Sequence, residues 1–206
     1  MSPHPGVVHL RAADPVLARV IDEHGDIDLV PAHRQGHDHY TTLVRSITGQ
    51  QLSVKAAATI FGRVLDLFGG EAPTPQQILD TDPQALRAAG LSNAKVAYLR
   101  SLAEHVLDGS LELDRLDELP DDEAIRELVA VNGLGEWTAH MFLMFQLARP
   151  DVLAVGDLGI RRAAERLYEL PKLPTPSELE RIAEPWRPWR TLACRYLWES
   201  LDNAPQ

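Results

Sequence analysis

Apolar residues recur at intervals of three and four along most of the chain, the spacing that places them on one face of an α-helix. Asp38 begins one such segment, with apolar positions at 43, 44 and 47, and Ser53 begins another, with apolar positions from 57 to 68. Both residue types accept hydrogen bonds from the first amides of a helix. Convincing alternation of apolar and polar side chains over four or more residues is not found. The pattern predicts an all-α protein of about ten helices with short connections.

Proline, glycine and capping residues mark several predicted helix ends. Helices are expected to open at Pro75, Pro83 and Pro120, after Ser92, and at a capping box from 175 to 178. Glycines at 49, 69, 70 and 90 are expected to end helices, and a last helix runs from about 189 to 201. The first 37 residues are harder to interpret, with a helical pattern only around 14–24.

A tight glycine turn separates two of the predicted helices in the segment LVAVNGLGEWTAHMF. Gly133 and Gly135 allow positive φ angles and a close approach of the backbone to a partner. The turn leads directly into a helix start, where amide groups and the helix dipole favour an anion such as a phosphate. Ordinary turn chemistry between helices is the alternative.

Beyond the second helix of this pair, a lone carboxylate stands in the apolar loop VLAVGDLGIRR. Asp157 could cap the helix that begins near Gly159, or it could be a reactive carboxylate. The two roles are compatible.

Composition narrows the class of protein. The chain has 206 residues and a net charge of −10, which at first argues against a nucleic-acid partner. Residues 104–127, however, contain 10 acidic and two basic residues, a balance of −8, so the remainder sums to only −2. Cys194 is the one cysteine, which excludes an internal disulfide and a cysteine-ligated zinc or iron–sulfur cluster. His33 and His37 have no matching carboxylates and do not favour a metal site.

Five segments, in order, resemble the helix-hairpin-helix DNA glycosylase superfamily: LVRSITGQQLSVKAA, GLSNAKVAYLRSLA, LVAVNGLGEWTAHMF, VLAVGDLGIRRA and WRPWRTLACRYLW. The last is similar to the 3-methyladenine DNA glycosylase II branch, and the resemblance covers about residues 38–202. It implies that Asp157 is the essential catalytic aspartate. Bifunctional relatives carry a lysine where this chain has Trp137, and no lysine lies between Lys95 and Lys172. The resemblance therefore implies a monofunctional enzyme without a required cofactor or an iron–sulfur cluster.

The resemblance also implies a set of substrate and DNA contacts. A base alkylated at a ring nitrogen is cationic and binds well to aromatic faces. The expected pocket residues are Trp137, Met141, Leu158, Trp186 and Trp189, with ordinary core packing as the alternative for every tryptophan, including Trp198. The expected DNA contacts are Gly133, Leu134, Gly135, Trp137, Thr138, Gln50, Gln51 and Leu52.

Two further features carry over from the family. Base flipping leaves a gap that a side chain fills, and either Gln51 or Leu52 could be this wedge. A monovalent cation could be held by the backbone carbonyls of Val129, Val131 and Leu134.

Several relatives have an additional N-terminal β-rich domain, which the 37 residues before Asp38 are too few to form. A more open cleft is therefore expected.

We thus predict two helical subdomains, one of residues 38–148 containing the hairpin and one of 1–37 plus 149–206, with the flipped base in a cleft between them. The predicted function is hydrolytic excision of alkylated bases, such as 3-methyladenine and 7-methylguanine, from duplex DNA. A non-catalytic DNA-binding or lesion-sensing protein, or a glycosylase for deaminated, oxidised or mismatched bases, is the alternative. The N-terminus does not resemble a signal peptide and no apolar run is long enough to span a membrane, so a cytoplasmic monomer is expected.

Overall fold

Helices make up most of the computed structural model, which describes residues 4–29 and 38–201. Within these residues there is no strand, and the all-α prediction is confirmed. The α-helices are α1 (Pro5–Ala13), α2 (Pro15–His24), α3 (His39–Gly49), α4 (Val54–Leu67), α5 (Pro75–Asp80), α6 (Pro83–Ala88), α7 (Asn93–Leu107), α8 (Asp121–Ala130), α9 (Glu136–Phe145), α10 (Leu158–Leu167), α11 (Pro176–Ala183) and α12 (Arg190–Glu199). Short 3₁₀ helices lie at Leu113–Arg115 and Glu184–Trp186.

Most helices begin where the capping residues predict. Asp38 accepts a hydrogen bond from the Thr41 amide at the start of α3, and Thr175 forms the predicted capping box of α11. Helix α1 is not apparent in the sequence. Its cap is His4, an unusual capping residue, and the single residue Asp14 both ends α1 and caps α2, so no loop signal separates the two helices.

The chain divides into two compact units. The continuous unit is Gly36–Phe142, and the split unit combines Met1–Gln35 with Leu143–Gln206. The division falls within α9, whereas the sequence-based boundary at 148 lies just after that helix.

In the continuous unit, α7 packs against α3, α5 and α6. Its buried positions recur at helical spacing, at 96, 99, 102 and 103, and the side chains of Leu99 and Leu102 are fully buried. Helix α7 therefore supplies the apolar centre around which the shorter helices of this unit are arranged.

In the split unit, α12 packs against α1, α2 and α10. The buried carboxylate of Asp14 is a junction in this core, since it accepts hydrogen bonds from Tyr168 Oη and from Trp186 Nε1 at 2.8 Å. Burial of an unpaired carboxylate is costly, and these donors offset that cost.

The described residues were compared with what a membrane-spanning helix and a metal site require. No helix among the described residues is long and apolar enough to cross a membrane. Across residues 4–29 and 38–201 there is also no group of three or more histidine, cysteine, aspartate or glutamate side chains arranged to hold a metal ion. His33 and His37 lie outside the described residues.

Candidate active site

The glycine turn between α8 and α9 forms the predicted hairpin, and its backbone lies directly against an aromatic ring. Gly133 has a φ of +92°, which L side chains rarely adopt. A Cβ atom at this position would lie 2.1 Å from Cγ of Tyr98. At Gly135, by contrast, no heavy atom lies within 4 Å of an added Cβ. The first glycine is therefore required by the fold, while the second leaves open space at the turn.

Side chains of two other elements hold the hairpin in place. Gln50, just after α3, donates from Nε2 to the Gly133 carbonyl at 2.8 Å. Ser101 of α7 accepts a hydrogen bond from the Asn132 amide at 3.3 Å. Together with Tyr98, these contacts fix the turn to the segment after α3 and to one side of α7, since 98 and 101 are one helical turn apart.

The first turn of α9 follows the hairpin and presents helix-terminal amides. Leu134 and Thr138 are 3% and 6% exposed, so the side chains of these two expected DNA contacts are mostly shielded. Trp137 is 44% exposed. Glu136 places a carboxylate in this first turn and is also exposed, which opposes the approach of a phosphate.

The turn between α3 and α4 carries the two expected wedge residues. Gln51 has a left-handed φ of +59° and is exposed, and Leu52 is 37% exposed. Lys95 of α7 donates from Nζ to the Thr48 carbonyl at 2.8 Å, at the end of α3. Burial lowers the pKa of Lys95. The turn is thus fixed at its base, while both candidate wedge side chains remain exposed.

Asp157 caps helix α10, as one of its two predicted roles requires. Its Oδ1 atom accepts a hydrogen bond from the Ile160 amide at 2.8 Å and another from Trp198 Nε1 at 3.0 Å. The residue is partly exposed. A carboxylate that is fixed by two donors and still reaches the surface is suited to act on a bound molecule.

The loop that leads to Asp157 is held by the start of α12. Thr191 Oγ1 accepts from the Val152 amide at 3.0 Å and donates to the Arg149 carbonyl at 2.6 Å. Arg190 pairs with Asp151, with Nε to Oδ1 at 2.7 Å. Helix α12 therefore anchors the loop at its first turn through Arg190 and Thr191, and contacts Asp157 near its end through Trp198.

The five expected pocket residues lie in different environments. Trp137 and Leu158 are exposed, at 44% and 47%, and are accessible to a ligand. Trp189 is half-buried, with its ring against His4 at a centroid distance of 5.0 Å. Met141 is 5% exposed. Trp186 is fully buried and bonded to Asp14, a placement that fits core packing and not a pocket wall.

The expected cation ligands lie on both sides of the hairpin turn. Val131 follows α8, and its carbonyl accepts a hydrogen bond from the Leu134 amide at 3.1 Å. A carbonyl oxygen has two lone pairs, so this contact leaves capacity for a cation. Neutral carbonyl oxygens at Val129, Val131 and Leu134 fit a monovalent ion better than a transition metal, which prefers imidazole or thiolate ligands.

Sequence reasoning missed several contacts that build the site. The sequence does not indicate that Trp198 contacts Asp157, or that Tyr98 and Gln50 hold the hairpin. Each of these residues belongs to one of the five matched segments. That placement indicates that the residue matters, but not which residue it contacts. Pairs separated by 35 to 83 residues have no local pattern that reveals their contact.

Comparison with known proteins gives consistent results. The family model of the HhH-GPD superfamily base excision DNA repair proteins matches residues 44–188. DNA-3-methyladenine glycosylase 1 of Schizosaccharomyces pombe is 38% identical over 163 residues, covering 78% of this chain and 72% of that protein. DNA-3-methyladenine glycosylase 2 of Escherichia coli K12 is 33% identical over 172 residues, covering 78% of this chain and 57% of that protein.

A solved structure supports the same relationship. A Schizosaccharomyces pombe 3-methyladenine DNA glycosylase in complex with abasic DNA matches with a TM-score of 0.85 and 34% identity, covering 97% of this chain and 97% of that chain. The family match spans more than half of the sequence and includes the hairpin and Asp157. These findings confirm the resemblance drawn from the five segments. The chain belongs to the HhH-GPD superfamily of base excision DNA repair proteins.

Proposed function

We propose that this protein is a monofunctional DNA glycosylase that hydrolytically excises alkylated bases, of the 3-methyladenine and 7-methylguanine type, from duplex DNA in base excision repair. The observation that carries the proposal is the placement of Asp157. In a chain of this superfamily, the carboxylate stands at the start of α10, is held by two donors on Oδ1 and is partly exposed.

Cleavage of an N-glycosidic bond develops positive charge on the sugar, as in other glycoside cleavages. Asp157 would stabilise that charge near the anomeric carbon and orient or deprotonate the attacking water. Water adds to the sugar, the base departs with the bonding electron pair, and an abasic site remains. Because the hydrogen bonds to Asp157 are already formed in the free protein, little reorganisation is needed when the charge develops.

An alkylated base suits a site with one such carboxylate. Alkylation at a ring nitrogen makes the base cationic and a good leaving group, so little protonation by a general acid is needed. Trp137 is exposed and offers an electron-rich face to a cation. Leu158, next to Asp157, is an exposed apolar neighbour for a base. Met141 is 5% exposed and Trp189 is half-buried, so both are less accessible to a base, and we propose supporting roles for them.

Hydrolysis by water is proposed because the hairpin has no amine nucleophile. Trp137 stands where bifunctional relatives have a lysine, and no lysine lies between Lys95 and Lys172. Lys95 itself is engaged with the Thr48 carbonyl. A Schiff base with the sugar would need an accessible amine.

Duplex DNA would be held mainly by backbone groups. Gly133, Leu134 and Gly135 lead into the first turn of α9, whose amides and dipole favour a phosphate. A monovalent cation on the carbonyls of Val129, Val131 and Leu134 would add positive charge at this turn and attract the phosphate. Gln51 and Leu52, in the turn between α3 and α4, are the exposed candidates for the wedge. We expect the protein to act as a monomer.

The test is release of methylated bases from single-lesion duplexes by the parent protein and by Asp157→Asn. We expect the parent to release methylated bases and the variant to be slower by roughly 100-fold or more, since the charge that faces the cationic sugar is lost. Glu180→Gln is the matched control, because it removes one charge from an exposed position of the same split unit. It should release base at the parent's rate.

Duplexes that carry hypoxanthine, uracil or an oxidised base separate the alternatives. Preferential release from one of these would replace the alkylated-base assignment. Absence of release from every duplex, with DNA binding retained, would indicate a lesion-sensing protein. Borohydride should trap no protein–DNA adduct, and a trapped adduct would contradict the monofunctional assignment.

A further inference from the structure

Trp198 stands at the end of α12 and donates a hydrogen bond to the residue proposed as catalytic. Its indole Nε1 lies 3.0 Å from Oδ1 of Asp157, the same oxygen that accepts from the Ile160 amide at 2.8 Å. The amide bond is an ordinary helix cap that many aspartates make. The indole bond is additional, and capping alone does not require it.

The ring of Trp198 is fixed in its position. The residue is 2% exposed, and its ring lies 6.1 Å from that of Phe145, centroid to centroid. Gly159 adds a constraint, because a Cβ atom there would lie 3.1 Å from Asp157 Oδ1 and 3.2 Å from Trp198 Cδ1. The carboxylate and the indole edge therefore meet where a side chain at position 159 would crowd both.

A second tryptophan–aspartate pair in the same split unit shows what a structural contact of this kind looks like. Trp186 Nε1 donates to Asp14 at 2.8 Å, and the tryptophan is 0% exposed. Asp14 is itself buried, at 6% exposure, and has no direct access to a ligand. Asp157 differs because it is partly exposed. The indole donor at Asp157 thus acts on a carboxylate that can meet a substrate.

We propose that Trp198 is a positioning residue, which orients the Asp157 carboxylate through the indole N–H. This inference rests on the proposed function. A donor that contacts a carboxylate oxygen limits rotation of the group. Trp198 would therefore set the direction of the Asp157 carboxylate and act on the reaction through that group.

The test is Trp198→Phe, which removes the N–H but keeps an aromatic ring. We expect the single-turnover rate of base release to fall roughly tenfold, since one charge-assisted hydrogen bond to the reacting carboxylate is lost. The dissociation constant for a duplex with an abasic site should change by less than about twofold.

Trp186→Phe is the matched control, because it removes the same donor from a buried carboxylate in the same unit. Both variants should lower the unfolding temperature, but only Trp198→Phe should slow base release while the dissociation constant for the abasic duplex stays the same. Gly159→Ala tests the same contact in a second way, because its methyl group would crowd the Asp157 carboxylate and the edge of the Trp198 ring. Alanine forms helices more readily than glycine, so the variant is expected to fold. Its rate should also fall with the fold intact.

The outcomes are separable. Base release by the parent and its loss in Asp157→Asn support the proposed function whatever Trp198 does. If Trp198→Phe then keeps the parent's rate, or if Trp186→Phe loses rate to the same extent, the positioning role is overturned. If Gly159→Ala releases base at the parent's rate, the positioning role is likewise overturned, including when Trp198→Phe does not fold. A parent that releases no base overturns both proposals.

Discussion

Glu136 is a single residue on which two electrostatic effects oppose each other. It lies in the first turn of α9, where a negative charge stabilises the helix through the dipole. The same exposed carboxylate stands beside the amides proposed to bind a DNA phosphate. Repulsion between the two anions weakens binding, so Glu136 should improve the helix at the expense of DNA affinity.

We therefore predict that Glu136→Gln binds duplex DNA more tightly, by roughly threefold at low salt, with a smaller gain at high salt because the repulsion is then screened. Fluorescence anisotropy with a labelled duplex at two salt concentrations measures both effects. Asp122→Asn is the control, since it removes an exposed acid from the first turn of α8. Equal gains in the two variants would indicate a general charge effect and not a phosphate site beside α9.

Residue identity alone predicted Asp157 better than it predicted the tryptophans. An aspartate before a helix in a flexible apolar loop has few roles, and the capping role is confirmed by its bond to Ile160. A tryptophan can line a pocket or fill a core, and only its contacts in the folded protein show which of the two roles it has. Trp186 has Asp14 as its partner and lies in the core, whereas Trp137 is exposed.

The hairpin shows at the scale of one element how two similar residues differ in function. Gly133 has a positive φ and lies against the Tyr98 ring, while Gly135 has open space around its missing side chain. Any side chain at 133 must displace the ring or the turn. A methyl group at 135 meets no part of the protein and would extend toward whatever occupies that space.

We predict that Gly133→Ala lowers the free energy of unfolding by about 3 kcal/mol or more, from backbone strain and overpacking together. Gly135→Ala should stay within about 1 kcal/mol of the parent. Its affinity for DNA should nevertheless fall, because the methyl group would keep a phosphate from the backbone. Denaturant unfolding and DNA binding of both variants measure the difference. Parent-like stability of Gly133→Ala would mean that the turn adjusts freely.

Helix positions could be predicted because their signals are local. Caps at Asp38, Ser53, Ser92 and Thr175 are confirmed, since each needs only residues three positions away. Helix α1 was missed because its end and the start of α2 share Asp14. The packing of α12 against the loop before Asp157 could not be predicted, because it depends on hydrogen bonds between residues about 40 positions apart.

Across the whole molecule, the negative charge is unevenly placed. The acidic segment 104–127 belongs to the continuous unit, which also contains the hairpin. DNA binding by this unit cannot rest on a high net positive charge. This distribution favours recognition through helix-terminal amides and turn geometry, in which the backbone supplies the positive potential.

The lone cysteine offers a direct measure of global unfolding. Cys194 is 0% exposed, and burial raises its pKa from 9.0 to about 12. We predict that a thiol reagent modifies it only as fast as the chain unfolds, and that one equivalent reacts in denaturant. Absorbance after addition of a chromogenic disulfide measures this rate. Rapid modification of the native protein would show that α12 opens locally.

The raised pKa of Cys194 also makes the stability of the protein depend on pH. Between pH 9 and 12 the unfolded chain releases the Cys194 proton, whereas the folded chain retains it. The contribution of this thiol to stability is therefore fully present below pH 9 and is lost as pH rises. Chemical unfolding at pH 8 and at pH 10 should show the lower stability at the higher pH.

The division of the split unit has a consequence for how the chain is made. Its helices α1 and α2 pack against α12, yet all of Gly36–Phe142 is synthesised between them. The continuous unit is complete as soon as Phe142 leaves the ribosome, and it can begin to fold at that point. The apolar faces that α1 and α2 bury against α12 stay exposed until α12 has been synthesised. Helices α1 and α2 are thus made before the continuous unit but reach their final neighbours after it, and the Asp157 loop is anchored only once α12 has been synthesised.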